Sequence, residues 1–458
     1  MTHCLSPRCL LLLSLAALAP AAEAQAHEPP PKPSALVSSP ALAPHPMRPR
    51  APGDSLSARQ IDALIDEFLA LPWWSRDGLL ARDKLAAQLD ELPPLTAREA
   101  KSWRKKLLDR AQKLDAKLPK KSGRHFLWED DDRGMFIVGG KLKKPKGLLI
   151  GMHGGGVGAG DAWASHSKLN NAAEKMGWLA IFPQVLELTE LGWTDSGTEE
   201  FVLQLIDRAR RTWKIDPNKV FLSGHSMGGY GSWVLGAHHA DVMAALAPAA
   251  GAPTPYMNAS GEVFDIGSGV VPSLRNVPMV IYQSADDPKV PPDANRVAVA
   301  KLEAARERWG GYDFEYWEVE HRGHDVPPGG MKALLEKIKK REREPLPERL
   351  VWQPALNWKR HFYWLWWDSP KHDAILQADL DKDANTIHIR CDRPVTGLHV
   401  LLNEELVDLD AELVVLLGDE RKEVWRGIPE RRLSTLLRTA ARNDPELVFE
   451  AMVPVVAR

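Results

Sequence analysis

Cysteine is almost missing from this chain: Cys4, Cys9 and Cys391 are the only ones in 458 residues. Two of them sit in the first ten positions, so a mature chain lacking its leader keeps one thiol and no internal disulfide. Its stability has to come from packed cores. A dominant sign of charge is missing too, with 59 Lys+Arg against 61 Asp+Glu. That balance gives no global attraction to nucleic acid or to an anionic membrane. Long apolar runs are confined to Leu10 to Ala19, which is too short to span a bilayer. Phosphate-binding units of the G-x-x-x-x-G-K-[ST] or G-x-G-x-x-G kind do not accompany the chain's glycine run.

The texture of the chain divides it into five parts. Residues 1–26 combine Arg8, the apolar run, and small residues at Ala22-Glu23-Ala24 and Ala24-Gln25-Ala26, which predicts a cleavable secretory signal. The expected location is therefore secreted or periplasmic, with no stable membrane insertion after cleavage; an uncleaved hydrophobic anchor is the alternative. Cys4 and Cys9 precede or open the apolar run, so neither stands where a lipidated cysteine would. Residues 27–54 are rich in Pro, Ala and Ser and read as an extended tether. Residues 55–122 read as helical, with Ser57 as an N-cap and Ile61, Leu64, Ile65 and Phe68 on one face. The basic run from Lys101 to Arg124 carries Trp103, Leu107, Leu108, Ala111 and Leu114 at helical spacing, which favours a solvated amphipathic helix over a polyanion site. Residues 123–345 alternate apolar strands with helices, the pattern of an α/β doubly wound, mostly parallel sheet. Residues 350–458 change to short alternating segments with one helix near Leu433 to Ala441, predicting a small, mainly β domain. Its Trp364, Trp366 and Trp367 are expected in a core, with stacking on sugar rings as the alternative.

Chemistry concentrates in the fourth part. The strand-like Val220-Phe221-Leu222 runs into Gly224-His225-Ser226-Met227-Gly228-Gly229, a G-x-S-x-G strand-to-helix turn that would expose the hydroxyl of Ser226 as a nucleophile. Upstream, Gly147 to Met152 reads as a buried strand ending at His153-Gly154-Gly155-Gly156. Backbone N–H groups there, at Gly155 or its neighbours Gly154 and Gly156, together with Met227, are the expected oxyanion donors. A flexible loop cradling a phosphate is the competing reading. Downstream, Pro278 to Tyr282 leads to Asp286 and Asp287; Asp287 opens the D-x-x-V-P spacing usual after the acid in the fold these motifs resemble and is favoured on that resemblance, with Asp286 as the alternative. Another strand, Phe314 to Val319, leads to His321 and His324. His324, in a tight Gly-His-Asp turn, is the expected base, and His321 is expected to be structural. The order Ser226, Asp287, His324 differs from that of the chymotrypsin-like and subtilisin-like proteases.

With those motifs, residues from about 123 to 345 resemble an α/β-hydrolase of the prolyl-oligopeptidase-related esterase group, relatives of feruloyl and acetyl-xylan esterases and of polyhydroxybutyrate depolymerases. Glu199 to Val202, Ile215 to Val220 and Gly224 to Trp233 carry the likeness along with the glycine run. It implies a serine hydrolase of carboxylic esters that uses neither a metal nor an organic cofactor. One departure stands out: Ser284 occupies a position where a glycine is usual. Between serine and acid, Ala252 to Arg275 is too short for a large helical cap, so the expected site is open to bulky esters, polymeric ones included. The alternatives are a serine peptidase of prolyl-oligopeptidase type, or an inactive scaffold whose C-terminal domain binds glycan.

Overall fold

A computed structural model describes residues 56–114, 116–128 and 133–456; the expected leader and tether lie outside them. Three helices open the described chain: α1 (Ala58–Ala70), α2 (Arg76–Asp90) and α3 (Ala97–Lys113). Ser57 caps α1 in a reciprocal pair with Gln60, and Thr96 caps α3 in the same way with Glu99. Helix α3 ends at Lys113, so the basic run extends past the helix and its last residues, Gly123 and Arg124, begin a strand.

The central sheet follows. Its strands are β1 (Gly123–Phe126), β2 (Met135–Gly140), β3 (Leu148–Met152), β4 (Leu179–Pro183), β5 (Val220–His225), β6 (Ala245–Ala249), β7 (Met279–Ser284) and β8 (Phe314–Val319). Between them run α4 (Ala162–Met176), α5 (Thr198–Trp213), α6 (Met227–His238) and α7 (Asp293–Trp309), and α8 (Gly330–Ile338) follows β8. The order across the sheet is β1-β2-β4-β3-β5-β6-β7-β8. The β1–β2 and β2–β4 pairings are antiparallel and the pairings from β4 to β8 are parallel. This is the α/β-hydrolase fold.

Sequence period explains why both faces are covered. Along β7, Met279 and Ile281 join one core while Val280 and Tyr282 join the other; along β5, Val220 and Leu222 oppose Phe221 in the same manner. Helices α5, α6 and α7 bury their apolar stripes in the first core, α4 and α8 in the second.

The C-terminal part forms two further sheets from β9 (Arg349–Trp352), β10 (His361–Phe362), β11 (Leu365–Trp367), β12 (Leu376–Asp381), β13 (Thr386–Cys391), β14 (Leu398–Leu402), β15 (Leu413–Leu417), β16 (Lys422–Gly427) and β17 (Ala451–Val455). Their orders are β9-β12-β13-β15-β16 and β10-β11-β14-β17. Phe362 to Trp367 reads as one alternating segment in the sequence, yet it is a hairpin. Tyr363 turns the chain at φ 51°, and its hydroxyl donates to the Ala240 carbonyl. Trp364, Trp366 and Trp367 are 0%, 5% and 0% exposed, so their rings are core and offer no platform to a sugar; that alternative is overturned.

These parts share cores. The strands of the C-terminal sheets join the first core of the hydrolase sheet. Helix α9 (Leu433–Ala440) packs against α2 and α3, its Leu433, Leu436 and Leu437 sharing a core with Leu85 and Leu89 of α2 and Leu107 of α3. Buried ion pairs add to the joints. Asp241 takes Lys359 and Arg442, and Arg343 pairs with Asp444 while donating to Asn218.

Candidate active site

Strand β5 ends at His225, α6 begins at Met227, and Ser226 is the single residue that joins them. It adopts φ 61° and ψ −126°, a region that L residues rarely enter, and its N–H donates to the Ala249 carbonyl at 2.9 Å. The turn is tight enough to require glycine on both sides. A Cβ at Gly228 would lie 2.2 Å from the Met152 carbonyl oxygen, and one at Gly224 would lie 2.5 Å from the backbone of Gly228. The sequence therefore strains one residue so that its hydroxyl stands clear of the sheet.

The other expected residues converge on it. His324 Nε2 is 2.9 Å from Ser226 Oγ, and His324 Nδ1 is 2.8 Å from Asp287 Oδ2 and 3.0 Å from Oδ1. Asp287 is buried, and its Oδ1 also accepts from the N–H groups of Lys289 and Val290 at 2.9 Å each. The second of these bonds explains the D-x-x-V spacing: the valine N–H three residues on fixes the carboxylate that faces the imidazole. Gln283 supports the same loop, donating to the Val290 carbonyl at 2.9 Å and accepting from Asn295 at 2.8 Å.

Asp286 does a different job. Its Oδ1 accepts from Ser284 Oγ at 2.6 Å and from the N–H groups of Arg322 and Gly323 at 3.2 and 3.1 Å. Those bonds, that of the Ser284 hydroxyl first, hold its carboxyl down at about 2. Asp286 and Ser284 thus tie the strand end to the loop that carries His324, and the serine that departs from the usual glycine is one half of that tie. His321 is fully on the surface, its side chain 89% exposed, with Glu320 3.8 Å away; it packs against nothing that would make it structural.

Gly154, Gly155 and Gly156 line a cleft of about 560 Å³ together with Ser226 and His324. Gly154 stands closest to the nucleophile, since a Cβ on it would be 3.1 Å from Ser226 Cβ. Gly155, at φ 154°, forms a small hairpin with Gly160. Met227 is the first residue of α6, where a backbone N–H has no intrahelical acceptor and points out of the helix start. His153 fastens the glycine run. It is fully buried, its Nδ1 bonds the Gly154 carbonyl at 2.9 Å, its Nε2 accepts from Val185 N–H at 3.2 Å, and its own carbonyl accepts from Trp193 Nε1 at 3.1 Å. Burial lowers its pKa, keeping the ring neutral as that bonding requires.

Three residues of the cleft carry no signal that the motif reading used. His225 packs against His324 with ring centres 4.8 Å apart and planes tilted by 48°, and Lys168 Nζ is 3.3 Å from His225 Nδ1. Burial, then the Lys168 charge, bring His225 down to about 4, so it adds no charge beside His324 near neutral pH. Lys168 and Lys289 are the Lys or Arg side chains on the cleft wall, and among the described residues no Asp or Glu lines it. Among the described residues there is no cluster of His, Cys, Asp and Glu able to hold a metal ion.

A serine hydroxyl, a base and a buried acid in contact, beside backbone N–H groups at a helix start, can carry out nucleophilic acyl transfer. No protein-family model matches the chain, and no curated protein does. Solved structures with similar folds include a thermostable esterase, 19% identical over 49% of this chain and 63% of that one, with a TM-score of 0.35. They also include a CE1 ferulic acid esterase from Anaeromyces mucronatus in complex with ferulic acid, 14% identical over 48% and 89% of the two chains, TM-score 0.35. A third is an acetyl xylan esterase from Aspergillus awamori, 14% identical over 47% and 98%, TM-score 0.35. This chain spans less than two thirds of the thermostable esterase. Likenesses so distant concern the fold alone, which the strand order defines by itself.

Proposed function

We propose that this protein is an exported serine hydrolase that cleaves carboxylic esters through an acyl-enzyme intermediate. The observation that carries the reading is the contact chain from Ser226 Oγ to His324 Nε2, 2.9 Å, and from His324 Nδ1 to Asp287, 2.8 Å, set on a strained elbow. As Oγ attacks the ester carbon, His324 takes its proton, and the carbonyl electrons move onto oxygen facing the N–H groups of Met227 and the glycine run. The bond to the alcohol then breaks, and the imidazolium returns the proton to the leaving oxygen. A water, deprotonated by His324, attacks the acyl carbon, and Ser226 departs with the proton. Asp287 holds the tautomer and stabilises the imidazolium throughout.

Two further parts of the proposal have their own supports. Export rests on the character of residues 1–26; among the described residues no helix is long and apolar enough to cross a membrane. A preference for bulky esters, including those borne on a polysaccharide or another polymer, is supported by the size of the cleft. The segment before the acid also adds only a hairpin, Pro255–Met257 with Val263–Ile266, and one short turn at Pro272–Leu274. The test is a panel of p-nitrophenyl, acetyl-xylan and feruloyl esters beside peptide anilides. Turnover of esters that falls below about a thousandth of the parent in a folded Ser226→Ala variant is the expected result. Faster turnover of the anilides would make the protein a peptidase instead.

A further inference from the structure

At the far end of α6 from Ser226 lies a cavity that the ester chemistry does not use. Helix α6 spans about 18 Å at 1.5 Å per residue, and none of the residues lining the cavity lines the cleft. The cavity, about 40 Å³, lies where the α1–α2 turn, His239, the Trp358 to His361 segment and the end of α9 meet. That is room for about three waters or one small ion.

Its walls hold more positive than negative charge. Lys359 and Arg442 share one carboxylate, Asp241, at 2.7 Å each. Arg360 pairs with Asp83, and Arg438 pairs with Asp90 at 3.0 Å. Arg82 has no carboxylate at ion-pair distance among the described residues; its Nη2 donates to the Leu71 carbonyl and its guanidinium lies over the Phe68 ring. Five cations therefore have three carboxylates at ion-pair distance; the next acids they feel are Asp207, itself paired with Arg211, and Glu199, which bonds His238 and His239. Burial presses on two of them, pulling Lys359 down to about 8 and Arg82 to about 9.

Donors without partners also outnumber the acceptors without partners there, which are Asp241 Oδ2 and His361 Nδ1. Trp73 Nε1, Arg82 Nε, and Nε, Nη1 and Nη2 of Arg442 are buried atoms with no hydrogen-bond partner, and Arg82 and Arg442 are only 4% and 3% exposed. The contact of Arg442 Nη1 with Asp241 is close but not aligned as a hydrogen bond. Buried donors without acceptors are destabilising, and folds rarely keep several in one place. Water would give them an oxygen but leave the excess charge. An oxyanion supplies only acceptors together with the missing charge, and charge-assisted bonds are stronger in a cavity walled by Trp73, Trp358 and Trp366.

We propose that this cavity binds a small oxyanion, a short carboxylate or an inorganic oxyanion such as phosphate, held by Arg82, Arg442 and the Trp73 N–H. Thermal unfolding of the full chain in acetate, phosphate or sulfate, against chloride at matched ionic strength, tests this. At least one oxyanion should raise Tm by about 2 °C over chloride at concentrations well above its Kd. Comparing the arms distinguishes a carboxylate from a tetrahedral ion. Trp73→Phe keeps an aromatic ring, though a smaller one, and removes the N–H, so titration calorimetry should show affinity for that oxyanion reduced at least about fivefold. Arg442→Met should abolish binding. Equal Tm in chloride and every oxyanion would overturn the proposal, as would an oxyanion effect undiminished in Trp73→Phe.

Discussion

Replacing Gly228 by alanine adds one methyl group and should disable the elbow. The added Cβ would stand 2.2 Å from the Met152 carbonyl oxygen, 2.7 Å from its carbon and 3.0 Å from the His153 carbonyl oxygen. All three are backbone atoms, at the end of β3 and the start of the glycine run, so no side chain can swing away. Ordinary contact begins at 3.4 Å, so α6 and the glycine run must separate by roughly 1 Å. That gap opens between Ser226 and the N–H groups meant to face the developing oxyanion, and a displacement of that size lowers turnover by about a hundredfold. Gly267→Ala is the control, because its Cβ would meet nothing nearer than Thr254 at 3.7 Å. Steady-state hydrolysis of p-nitrophenyl acetate, with circular dichroism to establish folding, measures both variants. A folded Gly228→Ala protein within about threefold of the parent would refute the steric argument.

The two aspartates should separate cleanly. Asp287→Asn removes the acceptor that fixes the His324 tautomer and should lower kcat by about 10⁴, whereas Asp286→Asn keeps an oxygen for the Arg322 and Gly323 N–H groups and should stay within about tenfold; a reversed ranking would move the acid by one residue. Stability should fall in acid in two stages, read as Tm against pH. His225 and His239 lie at about 4 in the folded chain, below the ordinary 6.5, so unfolding takes up protons and the stability they contribute is lost as pH falls from about 6.5 toward 4. Asp444 and Glu199, at about 2 when folded, contribute stability above their ordinary values that is lost as pH falls from about 4 toward 2. A Tm that does not change between pH 7 and 5 would contradict the first stage.

Local rules made much of this molecule legible. Alternating burial is written into β5 and β7, the first cap into Ser57, and the elbow into a serine between glycines, because each depends on residues a few positions apart. The choice of Asp287 was legible for the same reason: its bond to the Val290 N–H closes within three residues. What escaped depends on contacts distant in sequence. Lys168 reaches His225 across 57 residues, and Arg343 reaches Asp444 across 101. The hairpin at Tyr363 interrupts a run of aromatic residues that pattern alone reads as one strand, and its anchor is Ala240, 123 residues away. The association of α9 with the N-terminal helices is of the same kind: amphipathicity shows that each has an apolar face but not which faces meet.

The central claim is that Ser226 is the acyl-accepting nucleophile. Its most direct test is intact-mass and peptide mass spectrometry after brief exposure of the folded protein to a fluorophosphonate. One adduct per chain, mapped to Ser226, lost in Ser226→Ala and much slowed in His324→Ala, is the predicted result. A parent protein that stays unlabelled while folded, or an adduct on any other residue, would contradict it.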